Sequence, residues 1–164
     1  MDLTIEAPSV THNTFVIERS YAVTPEAVFA AFADPAKKRR WFAEGESHPA
    51  GEFEMDFRVG GKERSRSQIA SGPVQGATLT NEATYLDIVA NRRIVMAAIM
   101  ALDGRHISAS LATFEFLPAA HGTNLVFTHQ AAFLEGSDGA QMREGGWRRL
   151  LDRLAGQLAQ QSGA

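Results

Sequence analysis

The chain has 164 residues, 45% of them hydrophobic and 21% charged, which is typical of one ordinary globular domain. Its net charge of −3 argues against nucleic acid or an anionic membrane as the main partner, and the lack of cysteine excludes disulfides and thiolate chemistry. The start of the chain lacks a signal-peptide pattern, and the longest apolar run, residues 94–102, is too short to cross a bilayer. We therefore expect a soluble, cytoplasmic protein with no membrane partner.

The first part of the chain predicts a strand followed by two short helices. Residues 1–12 are expected to form a flexible lead-in, and the β-branched and aromatic residues of 13–23 predict the first strand. A threonine N-cap before Pro25 begins one helix, and a second short helix runs to Trp41. The basic run in this second helix, residues 37–40, is interpreted as a solvated helix face.

The middle of the chain predicts six further strands joined by short turns. The first of them alternates strictly between apolar and charged residues, and the Gly60-Gly61 pair after it predicts a tight hairpin turn. Consecutive strands with short connections are typical of an antiparallel meander. The six predicted strands cover residues 52–59, 62–68, 78–89, 93–102, 105–117 and 123–133.

Near the end of the chain the hydrophobic period changes from strand-like to helical, which predicts a long amphipathic helix over residues 138–160. Gly145 and Gly146 interrupt this pattern, and three explanations are open. The helix could approach the sheet closely, a gap beside Trp147 could admit a ligand, or the helix could begin only after the glycines. The apolar stripe of the helix consists of Trp147, Leu150, Leu151, Leu154 and Leu158.

These elements predict one α+β domain over residues 13–160. A curved antiparallel sheet of about seven strands would wrap around the long C-terminal helix, with two short helices after the first strand. This arrangement is the helix-grip fold. Because ordinary side chains do not fill so strongly curved a sheet completely, we expect a ligand-sized cavity between the sheet and the helix.

Several sequence features also occur in a familiar order and spacing. They are Arg40-Trp41-Phe42, residues 53–61, 85–89, 92–95, 103–105, 108–116 and 122–125, and Trp147 with residues 150–154. On these features the chain resembles the START-like, polyketide-cyclase-like (SRPBCC) superfamily, and within it the bacterial branch named after the activator of the heat-shock protein ATPase. Members of this superfamily include lipid carriers, hormone receptors, cyclases and chaperone activators, so the resemblance implies the fold more strongly than any one function.

Apolar and aromatic residues of the predicted strands and the long helix are the candidate cavity lining. Methionines and aromatic rings suit an apolar or aromatic ligand, because a thioether adapts to irregular shapes. The same residues could instead form a dry core. The predicted ligand-binding residues are Trp41, Phe53, Met55, Phe57, Ser65, Met96, Ile99, Met100, Phe114, Phe127, His129, Trp147, Leu151 and Leu154.

Polar residues at the same cavity are the candidates for chemistry. If the strand alternation continues across the glycine pair, Glu63, Ser65 and Ser67 face inward, where they could anchor a polar ligand group or support acid–base work. The alternative is an exposed, charged edge region. His129 shares a face with apolar residues and is either a base or ligand-bonding group, or a hydrogen-bonded histidine at the rim. The other histidines lack ligand spacing, so no metal is predicted.

Three functions are consistent with these features. The first is a protein that binds a small hydrophobic or amphipathic molecule without covalent chemistry. The second is an enzyme of cyclase or hydrolase type, in which Glu63 or His129 would move protons. The third is an interaction protein of the chaperone-activator kind. No phosphate loop, dinucleotide fingerprint or nucleophile elbow is present, so no cofactor is predicted. Homodimerisation through the outer sheet face or an edge is left open.

Overall fold

The protein has one antiparallel sheet of seven strands and three α-helices, which a computed structural model describes over residues 9–44 and 51–162. Strands β2 to β7 pair consecutively and β1 pairs with β7, which gives the order β1-β7-β6-β5-β4-β3-β2. The predicted meander is therefore confirmed. The strands are β1 Thr11–Tyr21, β2 Glu52–Met55, β3 Lys62–Gln68, β4 Thr78–Val89, β5 Arg93–Leu102, β6 Arg105–Ala119 and β7 Gly122–Phe133.

Of the helices in the described residues, the first begins at the threonine N-cap that the sequence predicts. The helices are α1 Pro25–Ala33, α2 Pro35–Lys38, which continues as a π-helical turn Arg39–Ala43, and α3 Ala140–Ser162. Thr24 Oγ1 accepts a hydrogen bond from the Ala27 amide at the start of α1. Asp34 ends α1 and its carboxylate accepts from two amides of α2, so one residue stops the first helix and caps the second. No helix in the described ranges is both long and apolar enough to cross a membrane.

Two strand boundaries differ from the prediction. Strand β1 begins at Thr11, inside the predicted lead-in, and residues 1–8 of that lead-in lie outside the described residues. Strand β2 ends at Met55, not at residue 59. The chain turns earlier because the Gly61 amide donates to the Arg58 carbonyl, which closes a turn over residues that still alternate in sequence. Val59 is consequently exposed and does not share the face of the preceding apolar residues.

The core lies between the concave face of the sheet, here called the inner face, and the three helices. Leu151 and Leu154 of α3 are fully buried, as the predicted stripe requires, and Trp147 is partly buried. Tyr21 Oη donates to the Leu151 carbonyl at 3.1 Å and fixes α3 to β1. Strand alternation places the buried side chains of the sheet on this inner face: Phe15, Ile17, Phe53, Ala83, Tyr85, Ile94, Met96, Ala112, Phe114, Phe116, Leu125 and Phe127.

The glycine pair of α3 does not mark a close approach of helix and sheet. Helix α3 begins at Ala140, which rules out a helix that starts only after the glycines. A Cβ atom added at Gly145 or Gly146 would meet only the guanidinium of Arg149 within 4 Å. Neither glycine is therefore needed for packing, and a gap beside Trp147 stays a prediction.

Candidate functional site

A buried ion pair with a tyrosine lies where the end of α2 meets strands β3 and β4. Lys38, Glu63 and Tyr85 are each 2% exposed or less. Lys38 Nζ lies 3.2 Å from Glu63 Oε2, and Tyr85 Oη donates a hydrogen bond to the same oxygen. Glu63 and Tyr85 face inward because strand alternation places them on the inner face, as expected for Glu63 from the sequence. We call these three residues the Glu63 cluster.

The Lys38 ammonium is enclosed by aromatic rings. Its Nζ lies 5.4 Å from the ring centroid of Phe32, 5.3 Å from that of Trp41 and 4.6 Å from that of Phe42. These distances are those of cation–π contacts, which together with Glu63 offset the desolvation of a buried lysine. The interpretation of residues 37–40 as a wholly solvated face is thus wrong at Lys38. Trp41 and Phe42 lie three and four residues after Lys38, so the helical period could have placed it among them.

Helix α3 holds the segment that carries Lys38. Gln157 Nε2 donates to the Lys37 carbonyl at 3.0 Å, and an Arg153 guanidinium nitrogen donates to the Arg40 carbonyl at 2.8 Å. These bonds attach two backbone carbonyls near Lys38 to α3. The backbone that carries the ammonium is therefore held by the packing of two helices.

Both hydrogen-bond donors of the Glu63 cluster bind the same carboxylate oxygen. The other oxygen, Glu63 Oε1, is buried and has no hydrogen-bond partner among the described residues. Burial, and then the neighbouring Glu63 carboxylate, raises the pKa of the Tyr85 phenol, so Tyr85 stays protonated and acts as a donor. The cluster thus has one buried acceptor atom without a donor in the described chain.

His129 on β7 is the second buried polar side chain without a full set of partners. It is 2% exposed, and its ring stacks on Phe15 with a centroid distance of 4.6 Å and an interplanar angle of 11°. Its Nδ1 atom is buried and has no hydrogen-bond partner in the described parts of the chain. Burial lowers the pKa of His129 to about 4, and the cation of Arg143 adds to this effect, while Asp138 opposes it. His129 is therefore neutral at physiological pH.

An arginine of α3 forms a polar cluster near His129. Arg143 is 6% exposed and donates two hydrogen bonds to Asp138, at 2.8 Å each, and one to Ser108 Oγ at 2.9 Å. Burial disfavours the charged form of Asp138. The hydrogen bonds and charge of Arg143, together with hydrogen bonds from Ser137 and the backbone, outweigh burial and hold the pKa of Asp138 below its usual value. The guanidinium also lies 5.2 Å from the ring of Phe133. The Arg143–Asp138 ion pair balances its own charge, and the bond from Arg143 to Ser108 anchors the start of α3 to the sheet.

Small side chains form the part of the inner face next to Glu63. The register places Glu63 opposite Ala83, Ala83 opposite Ala98, Ala98 opposite Ser110 and Ser110 opposite Ala131, across strands β3 to β7. Alanine and serine fill much less volume than the Leu, Ile and Phe typical of a sheet packed on a helix. We call this row of small side chains the inner groove.

The next row of the same face is open to solvent. Ser65, Asn81 and Met100 follow each other across β3, β4 and β5, and all three are partly exposed. Strands β4 and β5 lie inside the sheet, so their backbones are covered by neighbouring strands. Solvent therefore reaches Asn81 and Met100 from the side-chain face, and these residues form the mouth of the inner groove.

Comparison with known proteins assigns a family to this fold. Residues 22–159 match the family model described as Activator of Hsp90 ATPase homolog 1-like protein. The chain belongs to this family. Membership supports a ligand-binding fold in general and indicates no particular ligand. No curated protein matches the chain.

Several solved structures of similar length align with nearly the whole chain. A Rhizobium leguminosarum protein is 39% identical, with 93% of this chain and 97% of that chain covered and a TM-score of 0.85. A Rhizobium loti protein is 45% identical, with 92% and 99% covered and a TM-score of 0.80. An AHSA1-like protein from Aeromonas hydrophila, at 21% identity, 92% and 94% coverage and a TM-score of 0.68, supports the fold alone.

In this family member, the predicted lining separates into packed residues and residues near the groove. Phe114 stacks on Phe127 at 4.6 Å, and Phe127 contacts Trp147 at 4.5 Å, so these rings pack against each other as a core. The fully or nearly buried members of the predicted set are Trp41, Phe53, Met96, Phe114, Phe127, His129, Leu151 and Leu154. The partly exposed members are Met55, Phe57, Ser65, Met100 and Trp147.

Ile99 requires a correction. It was predicted to line the cavity with Met96, but it is 39% exposed and lies on the outer face of β5. Residues separated by an odd number along a regular strand point to opposite faces, and three positions separate Ile99 from Met96. The odd spacing in the sequence already indicates that Met96 and Ile99 face opposite sides of β5.

Glu63 and His129 do not form one acid–base pair. They lie on β3 and β7, and three strands separate them. With adjacent strands about 4.8 Å apart, the separation is about 19 Å along the sheet. The hydrogen-bond partners of Glu63 are Lys38 and Tyr85. The two polar groups therefore lie at different positions along the inner face.

Two depressions of the described surface contain neither Glu63 nor His129. One depression, of about 460 Å³, is lined by residues 25–26, 90–93 and 115–118, and another, of about 430 Å³, lies over β1, β6 and β7. Within residues 9–44 and 51–162, no group of three or more His, Cys, Asp or Glu side chains is placed to hold a metal ion.

Proposed function

We propose that this protein binds a small hydrophobic or amphipathic molecule in the inner groove, without covalent chemistry. One observation carries the proposal. Glu63 Oε1 and His129 Nδ1 are buried on the same face of the sheet and have no hydrogen-bond partner within the described residues. A buried polar atom without a partner costs about 1–3 kcal/mol, so a ligand that supplies the missing hydrogen bond recovers that free energy on binding.

The surroundings favour an apolar body for such a ligand. Met55 and Met100 lie on the inner face, and Phe57 follows β2 and packs against Tyr85. All three side chains are only partly buried. Flexible thioethers adapt to ligand shape, and the edge of an aromatic ring offers a complementary contact. The side chains between the two polar groups, Ala83 and Ala98 among them, carry no charge and would contact the apolar part.

The proposal is tested with the purified full-length chain. Native mass spectrometry, followed by extraction and identification of any co-purifying compound, is expected to reveal a small molecule in stoichiometric amount. If the protein is isolated empty, a thermal-shift screen against aromatic and lipid compounds is expected to raise Tm, because a ligand that binds only the native state stabilises it.

A matched pair of variants locates the site. Ala98→Phe places a ring in the inner groove and is expected to abolish the mass adduct and the thermal shift. Ala97→Phe adds the same ring to the outer face of the same strand and should leave both unchanged. If Ala98→Phe binds ligand as well as the unmodified protein does, the ligand site is not the inner groove. Homodimerisation stays a prediction that the same mass spectra can test.

A further inference from the structure

We propose that the Glu63 cluster selects the ligand: it accepts a hydrogen bond from the hydroxyl group of a neutral phenol or alcohol and disfavours carboxylates and other anions. This inference rests on the proposed function and names the class of molecule that the inner groove takes. It follows from how the two oxygens of one carboxylate are used, from what covers the neighbouring cation, and from the side chains beside the open acceptor.

One oxygen of the Glu63 carboxylate accepts two hydrogen bonds, while the other is buried without a donor among the described residues. Lys38 Nζ and Tyr85 Oη both bind Oε2, while Oε1 has no partner in the described chain. An ionised carboxylate is an acceptor only, so the complementary ligand group is a hydrogen-bond donor. A hydroxyl meets this need with a single atom and without bringing charge into a buried site.

The cation of the cluster is not presented to a ligand. Lys38 Nζ is directed at Oε2 and is surrounded by the rings of Phe32, Trp41 and Phe42. A ligand in the inner groove therefore meets the carboxylate oxygen and not the ammonium. An anionic ligand would place like charges together in a region of low dielectric, where repulsion is strong.

The side chains beside Oε1 suit a ring attached to the hydroxyl. Met55 is paired with Glu63 across β2 and β3, and Ala83 is paired with it across β3 and β4. Phe57 lies near the cluster, with its ring 5.1 Å from that of Tyr85. A hydroxyl directly on an apolar ring would reach the carboxylate while the ring contacts these side chains.

Three naphthalene probes separate the contributions of ring, hydroxyl and charge. Their affinities for the full-length protein are measured by calorimetric titration. Naphthol is expected to bind about 10–100-fold more tightly than its methyl ether, because the ether has the ring but no hydrogen to donate. Naphthoate is expected to bind most weakly, because it carries a negative charge to the carboxylate.

Glutamine variants assign the preference to one residue. Glu63→Gln keeps the shape of the side chain. Because Lys38 and Tyr85 are donors, the amide oxygen takes the place of Oε2 and the NH2 group replaces the acceptor Oε1. The preference for naphthol over the ether should therefore disappear. Glu82→Gln, on the outer face of β4, should keep the full preference, since Glu82 is exposed and pairs with Arg64. Because Glu63→Gln leaves Lys38 without its anion, the double variant Lys38→Met/Glu63→Gln serves if the single one does not fold.

The outcomes distinguish this inference from the proposed function. If naphthol and its ether bind equally well, or if a folded variant without the Glu63 carboxylate keeps the preference, the selectivity assigned here is wrong while ligand binding in the groove stands. If naphthoate binds best, the cluster presents its cation and the inference is overturned. If no probe binds and no compound co-purifies, both proposals fall.

Discussion

The buried histidine of β7 couples protonation to folding. Burial, strengthened by the Arg143 cation and opposed by Asp138, lowers the pKa of His129 from 6.5 to about 4. In the unfolded chain the imidazole returns to a pKa of about 6.5. Between these values the unfolded state binds a proton that the native state does not bind. The native state therefore loses stability as the pH falls from about 6.5 to about 4, and below that range the contribution of His129 is constant.

The expected magnitude is large enough to measure. One unit of pKa difference corresponds to about 1.4 kcal/mol, so a change from about pH 7 to about pH 5 should lower the free energy of unfolding by about 2 kcal/mol through His129 alone. His129→Leu removes the titrating group and keeps an apolar side chain of similar size. Urea denaturation followed by circular dichroism at several pH values should show that the variant lacks this part of the loss.

Two other groups define the control for this experiment. His121 is exposed, so His121→Asn should keep the pH dependence of the unmodified protein. Asp138 has a lowered pKa, so the stability that it contributes is lost only at more acidic pH, below about 4. Parallel loss of stability in the unmodified protein and in His129→Leu between about pH 6.5 and about pH 4 would refute a neutral, desolvated His129.

Three further variants test single contacts by urea denaturation. Glu63→Gln should lower the free energy of unfolding by about 3–5 kcal/mol, because it leaves the Lys38 ammonium buried without an anion. The double variant Lys38→Met/Glu63→Gln should lower it clearly less. Equal losses in the two variants would mean that Lys38 and Glu63 are not coupled. Gly146→Ala should stabilise the protein by up to about 1 kcal/mol, since the added Cβ meets only a flexible guanidinium; a loss would indicate an unseen close contact. Tyr21→Phe should cost about 1 kcal/mol through the bond to the Leu151 carbonyl, and an unchanged midpoint would show that this bond contributes nothing.

Strand periodicity predicted the inner face well because burial in a sheet depends on parity. Alternation continued across the Gly60-Gly61 turn predicts that Glu63 faces inward, and in the structure Glu63 is 1% exposed. The same count failed at Ile99 only because Met96 and Ile99 were assigned to one face in spite of their odd spacing. It failed beyond Met55 because a turn began within a segment that kept alternating. Alternation is therefore informative about faces and less so about where a strand ends.

The polar cluster could be predicted only in part. Glu63 was a candidate, but its partners come from a helix 25 residues before it and a strand 22 residues after it. A lysine in a basic run is usually solvated, so composition indicated the opposite of what Lys38 does. Tyr85 stands in the sequence as one strand residue of the family pattern, and nothing local marks it as a partner of Glu63. Which polar groups meet inside the fold depends on tertiary packing, and local sequence patterns do not contain that information.

Two independent properties coincide on the inner face. One is chemical: buried polar atoms of Glu63 and His129 have no partner within the described ranges. The other is steric: the row of side chains that begins at Glu63 consists of alanine and serine. A sheet that served packing alone would carry large apolar side chains at these positions and would be more stable for it. Because unpartnered polar atoms and small side chains occur together on one face, a ligand bound there explains both.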